Sequence, residues 1–275
     1  MEAELKIGTS AFTAAGWDAT EDGPGAFYPA GLQPRDYLGY YTTKFDTVEL
    51  DSTFYRAPAA TVVKGWYERT PANFIFAAKV PQEITHKKVL RDCDVDCKQF
   101  FAAMDNLKEK LGPLLFQFGY FNKTAFKGVD EFLGVLLPFL DKLPRDYRYV
   151  VEIRNKYWLV PKFVDALRKR GIALALIDQS WMLAKPADWF AKFDSITSDF
   201  AYVRLLGDRK GIEQQTKVWN KLIVDRAPQV ADWVKTCRQI VQRGTKTYVY
   251  VNNHYAGFAP GTVEMFKKLW DESGS

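Results

Sequence analysis

The chain has 275 residues, 47% of them hydrophobic and 26% charged, which is the balance of a folded globular protein and excludes wholesale disorder. That length predicts a folded surface of roughly 12,000 Å² against about 46,000 Å² for the extended chain, so a large core can form without disulfides or a structural metal. A net charge of +5 allows an anionic ligand but falls short of a dense nucleic-acid-binding patch, and two histidines, His86 and His254, exclude any site built from three.

Short β-branched or aromatic runs alternate with longer stretches of helical period. In chain order the predicted strands are Leu5–Ser10, Thr47–Phe54, Phe74–Val80, Leu114–Phe118, Arg148–Arg154, Ile172–Asp178, Ala201–Leu206 and Thr247–Asn253. The predicted helices between and after them are Pro34–Phe45, Ala59–Arg69, Val95–Leu111, Val129–Leu143, Pro161–Arg170, a weakly patterned one around Asp188–Phe193, Pro228–Arg243 and Pro260–Trp270. In the seventh, Val230, Trp233, Val234, Cys237, Ile240 and Val241 repeat at i, i+3, i+4. Eight βα units without a Pro/Gly/Ser-rich linker predict one domain over residues 1–275, a (β/α)₈ TIM-type barrel. The competing architecture, a doubly wound open sheet, would normally carry a Gly-rich phosphate loop after its first strand. The turn Ile7-Gly8-Thr9-Ser10-Ala11-Phe12 is neither GxGxxG nor a Walker motif.

Cys93, Cys97 and Cys237 suit a reduced compartment. The four-residue spacing of the first two makes at most half a metal site, and ordinary packing explains them better. No basic start followed by an apolar run opens the chain. The longest apolar stretch, Phe132–Leu140, contains Pro138 and is far short of the ~20 residues of a membrane helix. A soluble cytoplasmic protein with no membrane contact is expected.

Barrel active sites lie at the C-terminal ends of the strands, where residues two apart share a face. The strand ends present Glu49, Asp51 and Thr53; Lys79; Gln117; Glu152 and Arg154; Asp178; Arg204; and Asn252 with His254. Seven of eight strands thus end in a charged or amide residue, and Glu49, Glu152 and Arg204 are each followed by further apolar residues. A charge inside a strand is costly unless paired, so these groups form either a functional site or a paired ionic plug that fixes the barrel top. In a site, crowded carboxylates would have their pKa values pushed apart and would supply acid and base. Aromatics in the βα loops, among them Trp17, Tyr55, Tyr120, Tyr157, Trp158, Trp181 and Tyr255, offer stacking faces for a sugar or a base. The loop from Ala11 to about Leu32 is a candidate lid, and loops seven and eight, with Arg204, Arg209 and Lys210, a candidate phosphate site.

These same residues resemble the YecE-like family, domain-of-unknown-function family 72. The matching segments are Ile7–Ser10, Phe27–Pro29, Val48–Arg56, Lys79–His86, Lys110–Pro113, Leu115–Gln117, Val151–Arg154 with Trp158, Tyr202–Arg204 and Asn252–Ala259, from residue 7 to about 270 in the family's order. The resemblance implies a TIM-type barrel and no assigned activity. It marks the same pocket as the strand ends. Two positions depart from the family pattern: Leu206, where a histidine is usual, and Asp51, where an asparagine is usual. The likeness drawn between this family and barrel endonucleases with several metal ions fits poorly with two histidines.

The site expected from the residues and the resemblance together has Glu49, Asp51, Glu152 and Asp178 as catalytic carboxylates. Thr9, Tyr55, Lys79, His86, Gln117, Arg154, Trp158, Arg204, Asn252 and Asn253 are its substrate-binding groups. The expected function is metal- and cofactor-independent acid–base chemistry, hydrolase- or lyase-like, on a small polar, anionic or phosphorylated substrate such as a sugar or sugar phosphate, at the C-terminal face of the barrel. A nucleic-acid-processing role, through Lys87, Lys88, Arg91, Arg209 and Lys210, is the less favoured alternative, and a non-catalytic ligand-binding scaffold is the third.

Overall fold

A computed structural model describes residues 4–18, 25–183 and 185–273. Eight strands, β1 (Leu5–Thr9), β2 (Thr47–Leu50), β3 (Ile75–Lys79), β4 (Leu111–Gln117), β5 (Tyr149–Glu152), β6 (Ala173–Gln179), β7 (Phe200–Gly207) and β8 (Lys246–Val251), form one sheet. Its order is β1-β8-β7-β6-β5-β4-β3-β2 and every pairing is parallel. Parallel neighbours require crossovers, and these are supplied by α1 (Tyr37–Tyr41), α2 (Ala60–Glu68), α3 (Asp94–Met104), α4 (Val129–Lys142), α5 (Pro161–Arg168), α6 (Arg209–Glu213) and α7 (Ala227–Gln242), with α8 (Ala259–Glu272) after β8. The result is the expected TIM-type barrel. On α7 the buried side chains Val230, Trp233, Val234, Cys237 and Ile240 are those of the apolar stripe. No described helix is long and apolar enough to cross a membrane.

The ends of the sheet order, β1 and β2, close the barrel without a strand ladder. A Cβ on Gly8 would stand 1.9 Å from the Thr47 carbonyl oxygen, so only glycine lets the two backbones come this close. Into that seam α1 sends the fully buried Tyr41. Its hydroxyl accepts from the Thr9 N–H at 2.9 Å and donates to the Thr47 carbonyl at 3.1 Å, doing for the seam what a ladder does elsewhere. Tyr41→Phe orphans both backbone groups. We expect it to cost about 1–3 kcal/mol in urea unfolding; a change below about 0.5 kcal/mol would refute this account of closure.

Element boundaries differ from the periodicity where tertiary contacts intervene. In place of a sixth helix, β6 and β7 are joined by a 3₁₀ turn, Pro186–Trp189. Here Thr197 accepts from the Leu174 N–H at 2.8 Å and donates to the Ile172 carbonyl at 2.6 Å, so a loop side chain satisfies the strand edge. The third predicted helix stops at Met104, and a 3₁₀ segment with Lys108 at φ 50° follows. This places the Lys110 ammonium 2.6 Å from the carbonyls of Tyr67 and Thr70, at the C-terminal end of α2.

Candidate active site

Side chains from three strands meet inside the barrel beneath its C-terminal mouth. Arg204 of β7 lies between Glu49 of β2 and Glu152 of β5. Its Nη2 is 2.7 Å from Glu49 Oε1, its Nε 2.9 Å from Glu49 Oε2, and its Nη1 2.7 Å from Glu152 Oε2. Tyr202, two residues earlier on the same face, donates to Glu49 Oε2 at 2.6 Å. Glu49, Glu152 and Tyr202 are completely buried and Arg204 is 2% exposed. Charges this deep persist only because each is paired and hydrogen-bonded. Burial would raise the Glu152 pKa, but Arg154 and Arg204 more than offset it and hold the carboxyl below its usual range. Burial, reinforced by Glu49, pushes the Tyr202 phenol far up, so it remains a donor.

Toward the mouth the chain of pairs continues. Arg154 donates from Nε to Glu152 Oε1 at 2.6 Å and from Nη1 to Gln179 Oε1. Within range of the Glu152 and Arg204 charges, Lys79 Nζ is 3.1 Å from Asp51 Oδ1 and 3.8 Å from the centre of the Phe54 ring. The Lys79 side chain is 10% exposed and that of Asp51 32%. Burial lowers the Lys79 pKa; Asp51 opposes this and Arg204 adds to it. His86 meets Phe54 edge-to-face at 5.0 Å, and its Nδ1 is 2.8 Å from the Thr85 hydroxyl. Burial, then Lys79 and Arg154, lower its pKa, so the ring is neutral at pH 7. The backbone that presents His86 is unusual: a π-helical turn at Glu83–Lys87, then Val89, Leu90 and Asp92 with positive φ. Such strain persists only where surrounding contacts over-determine it, and it clusters at functional sites.

The structure thus brings together Glu49, Asp51, Glu152, Lys79, Arg154, Arg204 and His86 of the expected set. Gln117 is buried nearby at the end of β4, where it pairs in register with Glu152 and donates to the Phe118 carbonyl at 2.6 Å. The others stand apart. Asp178 accepts from Trp233 Nε1 at 2.8 Å and from the Tyr255 hydroxyl at 2.9 Å; Trp233 lies on α7, so the carboxylate faces the helical layer. Thr9 belongs to the Tyr41 seam. Trp158 packs among Phe121, Phe126 and Phe132. Asn253 accepts from the Ala259 N–H at 2.9 Å, at the start of α8. Asn252 accepts from the backbone N–H of His254 and contacts its Nδ1, while His254 Nε2 is 3.0 Å from Glu213. In the expected phosphate site Arg204 is committed to the two glutamates and Arg209 to Glu213, 2.8 Å away. Tyr55, Tyr120, Tyr157 and Trp181 are exposed on the rim. Of the candidate lid, residues 19–24 lie outside the described residues; Trp17 and Tyr28, on either side of them, are buried.

Two participants escape the sequence reading. Gln179, not Asp178, is the β6 residue that reaches Arg154, because the strand runs one residue further and the inward phase falls on it. Tyr202 is in phase with Arg204 two positions on, a signal that was present but is shared with every core tyrosine. Among the described residues no three His, Cys, Asp or Glu side chains group as metal ligands would.

A family model described as protein of unknown function DUF72 matches residues 6–275. The chain is 31% identical over 149 residues to the UPF0759 protein YecE of Escherichia coli O157:H7, a match covering 54% of this chain and 53% of that protein. It therefore spans about half the length of this curated relative. To the UPF0759 protein YunF of Bacillus subtilis it is 27% identical over 262 residues, 90% of each chain. A solved DUF72 family protein from Thermotoga maritima superposes with TM-score 0.73 at 26% identity, covering 97% of this chain and 99% of the other.

Proposed function

The chain belongs to the DUF72 family, and from the site its barrel builds we propose that it is an enzyme using acid–base chemistry on a small polar anion of the sugar-phosphate kind. One observation carries this reading: the chain of ion pairs is fully buried at Glu49 and Arg204 but opens at the mouth on Arg154, Lys79 and Asp51. A plug that only fixed the barrel top would need no partly open lysine beside a one-third-exposed carboxylate. In this scheme Glu49 and Glu152 hold Arg204 and Arg154 rigid. Arg154, whose guanidinium has five N–H donors and spends three on Glu152 and Gln179, turns the remainder to the substrate's anionic group. Lys79 and Asp51 exchange the proton, and neutral His86 provides a second acceptor. Exposed tyrosines on the rim favour a second reading, in which a nucleic acid stacks across the mouth; binding that falls steeply with salt would distinguish it.

Calorimetry with phosphate, citrate and glucose 6-phosphate tests the first reading. Binding to the wild type is expected, weakened at least about tenfold in Arg154→Met, the loss of one charge-assisted hydrogen bond. Equal affinity in the variant, or no binding of any anion, would overturn it.

A further inference from the structure

Three lysines are buried among the described residues, and they differ in how their ammonium groups are satisfied. An ammonium has three N–H donors. Lys110 directs them at three oxygens, the carbonyls of Tyr67 and Thr70 and the Thr70 hydroxyl, at 2.6, 2.6 and 3.2 Å. Lys6 sits between two carboxylates, Glu4 at 2.9 Å and Asp46 at 3.4 Å. Both are structural ties. Lys79 has one hydrogen-bond partner, Asp51, and an aromatic face, Phe54. The carboxylates beneath it are occupied by Arg204 and Arg154, so nothing else clamps it. It stands at the end of β3, under the mouth, and Arg154, which like Lys79 acts on His86 and whose partner Glu152 also acts on Lys79, is the group able to hold an anion.

We propose that Lys79 is a nucleophile that condenses with a carbonyl group, so that the substrate is an aldehyde or ketone bearing a carboxylate or phosphate. This rests on the reading that the mouth takes a small anion, and narrows it. The step balances within the site. Asp51 takes a proton from the Lys79 ammonium, and the freed amine attacks the carbonyl carbon. A C–N bond forms, the π electron pair moves to oxygen, and Asp51 returns the proton there to give the carbinolamine. Asp51 then carries one proton from nitrogen to the hydroxyl, the C–O bond breaks, and water leaves a protonated imine on Lys79. No oxidant or reductant is consumed. Burial, which lowers the Lys79 pKa, raises the share of free amine, and the positive imine inherits Asp51 as counter-ion.

Borohydride trapping tests the step. The full chain is incubated with pyruvate or dihydroxyacetone phosphate, reduced with sodium borohydride and mapped by peptide mass spectrometry. The expected result is a secondary-amine adduct on Lys79 in excess over every surface lysine, suppressed by added phosphate and absent from Lys79→Arg. Asp51→Asn should slow trapping by about 10²-fold, the ordinary worth of a positioned proton-transfer group. The map of the wild type locates the adduct whether or not the variants fold. Adducts spread over surface lysines with none enriched at Lys79, for both probes, would overturn the proposal. Lactate and glycerol 3-phosphate, which lack the carbonyl, report the anion site separately by calorimetry. If they bind while no adduct forms, the imine fails and the acid–base reading stands; if they also fail to bind, both fall.

Discussion

Arg204→Met is expected to be the most destabilising single change in the barrel, costing about 3–5 kcal/mol because it leaves the buried Glu49 and Glu152 carboxylates without their shared cation. For a domain of this size that corresponds to a fall in Tm of roughly 6–20 °C. The cause lies in the unpaired charges more than in lost attraction, and that distinction can be measured. In the quadruple variant Arg204→Met, Arg154→Met, Glu49→Gln, Glu152→Gln the carboxylates and both guanidinium groups that pair with them are gone, and most of the lost stability should return, since a neutral interior of similar volume is often as stable as a buried ion pair. If Arg204→Met costs no more than a buried Ile→Val change, about 1 kcal/mol, the guanidinium is not what holds the strand ends together.

The second large effect depends on pH. Folded Glu152 gives up its proton more readily than a glutamate in the unfolded chain, since Arg154 and Arg204 outweigh its burial. The stability it contributes is therefore complete above the ordinary glutamate pKa of about 4.3 and is lost as pH falls through the lower, folded value. Glu152→Gln removes that contribution at neutral pH, at a cost of about 3 kcal/mol. As pH falls below about 4.3 the difference between the two proteins should begin to shrink, and it closes only once the pH has passed below the lower, folded value. Chemical unfolding of both from pH 7 to 3 checks this. A difference that stays constant across the range would mean that Glu152 does not act as an ionised partner. Because Arg154 is oriented by Glu152, the variant should also bind anions more weakly at pH 7, in parallel with Arg154→Met.

How much of the site could be read in advance varies residue by residue. Glu49, Glu152 and Arg204 stood out because each interrupts an apolar run in the inward phase of a strand, and a charge there must find a partner. The partnership itself, one guanidinium shared by two carboxylates from β2 and β5, is not written in any of the three segments. Asp178 illustrates the opposite case. It ends an apolar run as Glu152 does, yet its phase is outward and its partners are Trp233 and Tyr255. One residue of strand length decides between Asp178 and Gln179. Trp158 looked available for stacking because it follows a strand in a polar loop, and the phenylalanines around it come from residues 121 to 132. Lys79 was visible as a strand-end cation; its sparse hydrogen bonding beside Phe54 was not.

Length, the alternation of eight short apolar runs with helical stretches, and the charges that break those runs determined the barrel and placed its polar face at the strand ends. Both are local properties: period two and period 3.6 are set by neighbouring residues on one segment, and fold class follows from their order. Which charges meet was decided only in the tertiary structure. Pairing across a barrel depends on register, on the single residue by which a strand is longer or shorter, and on how β1 and β2 are drawn together over Gly8 and Tyr41. Those are set by packing among segments far apart in the chain, and no window of sequence contains them.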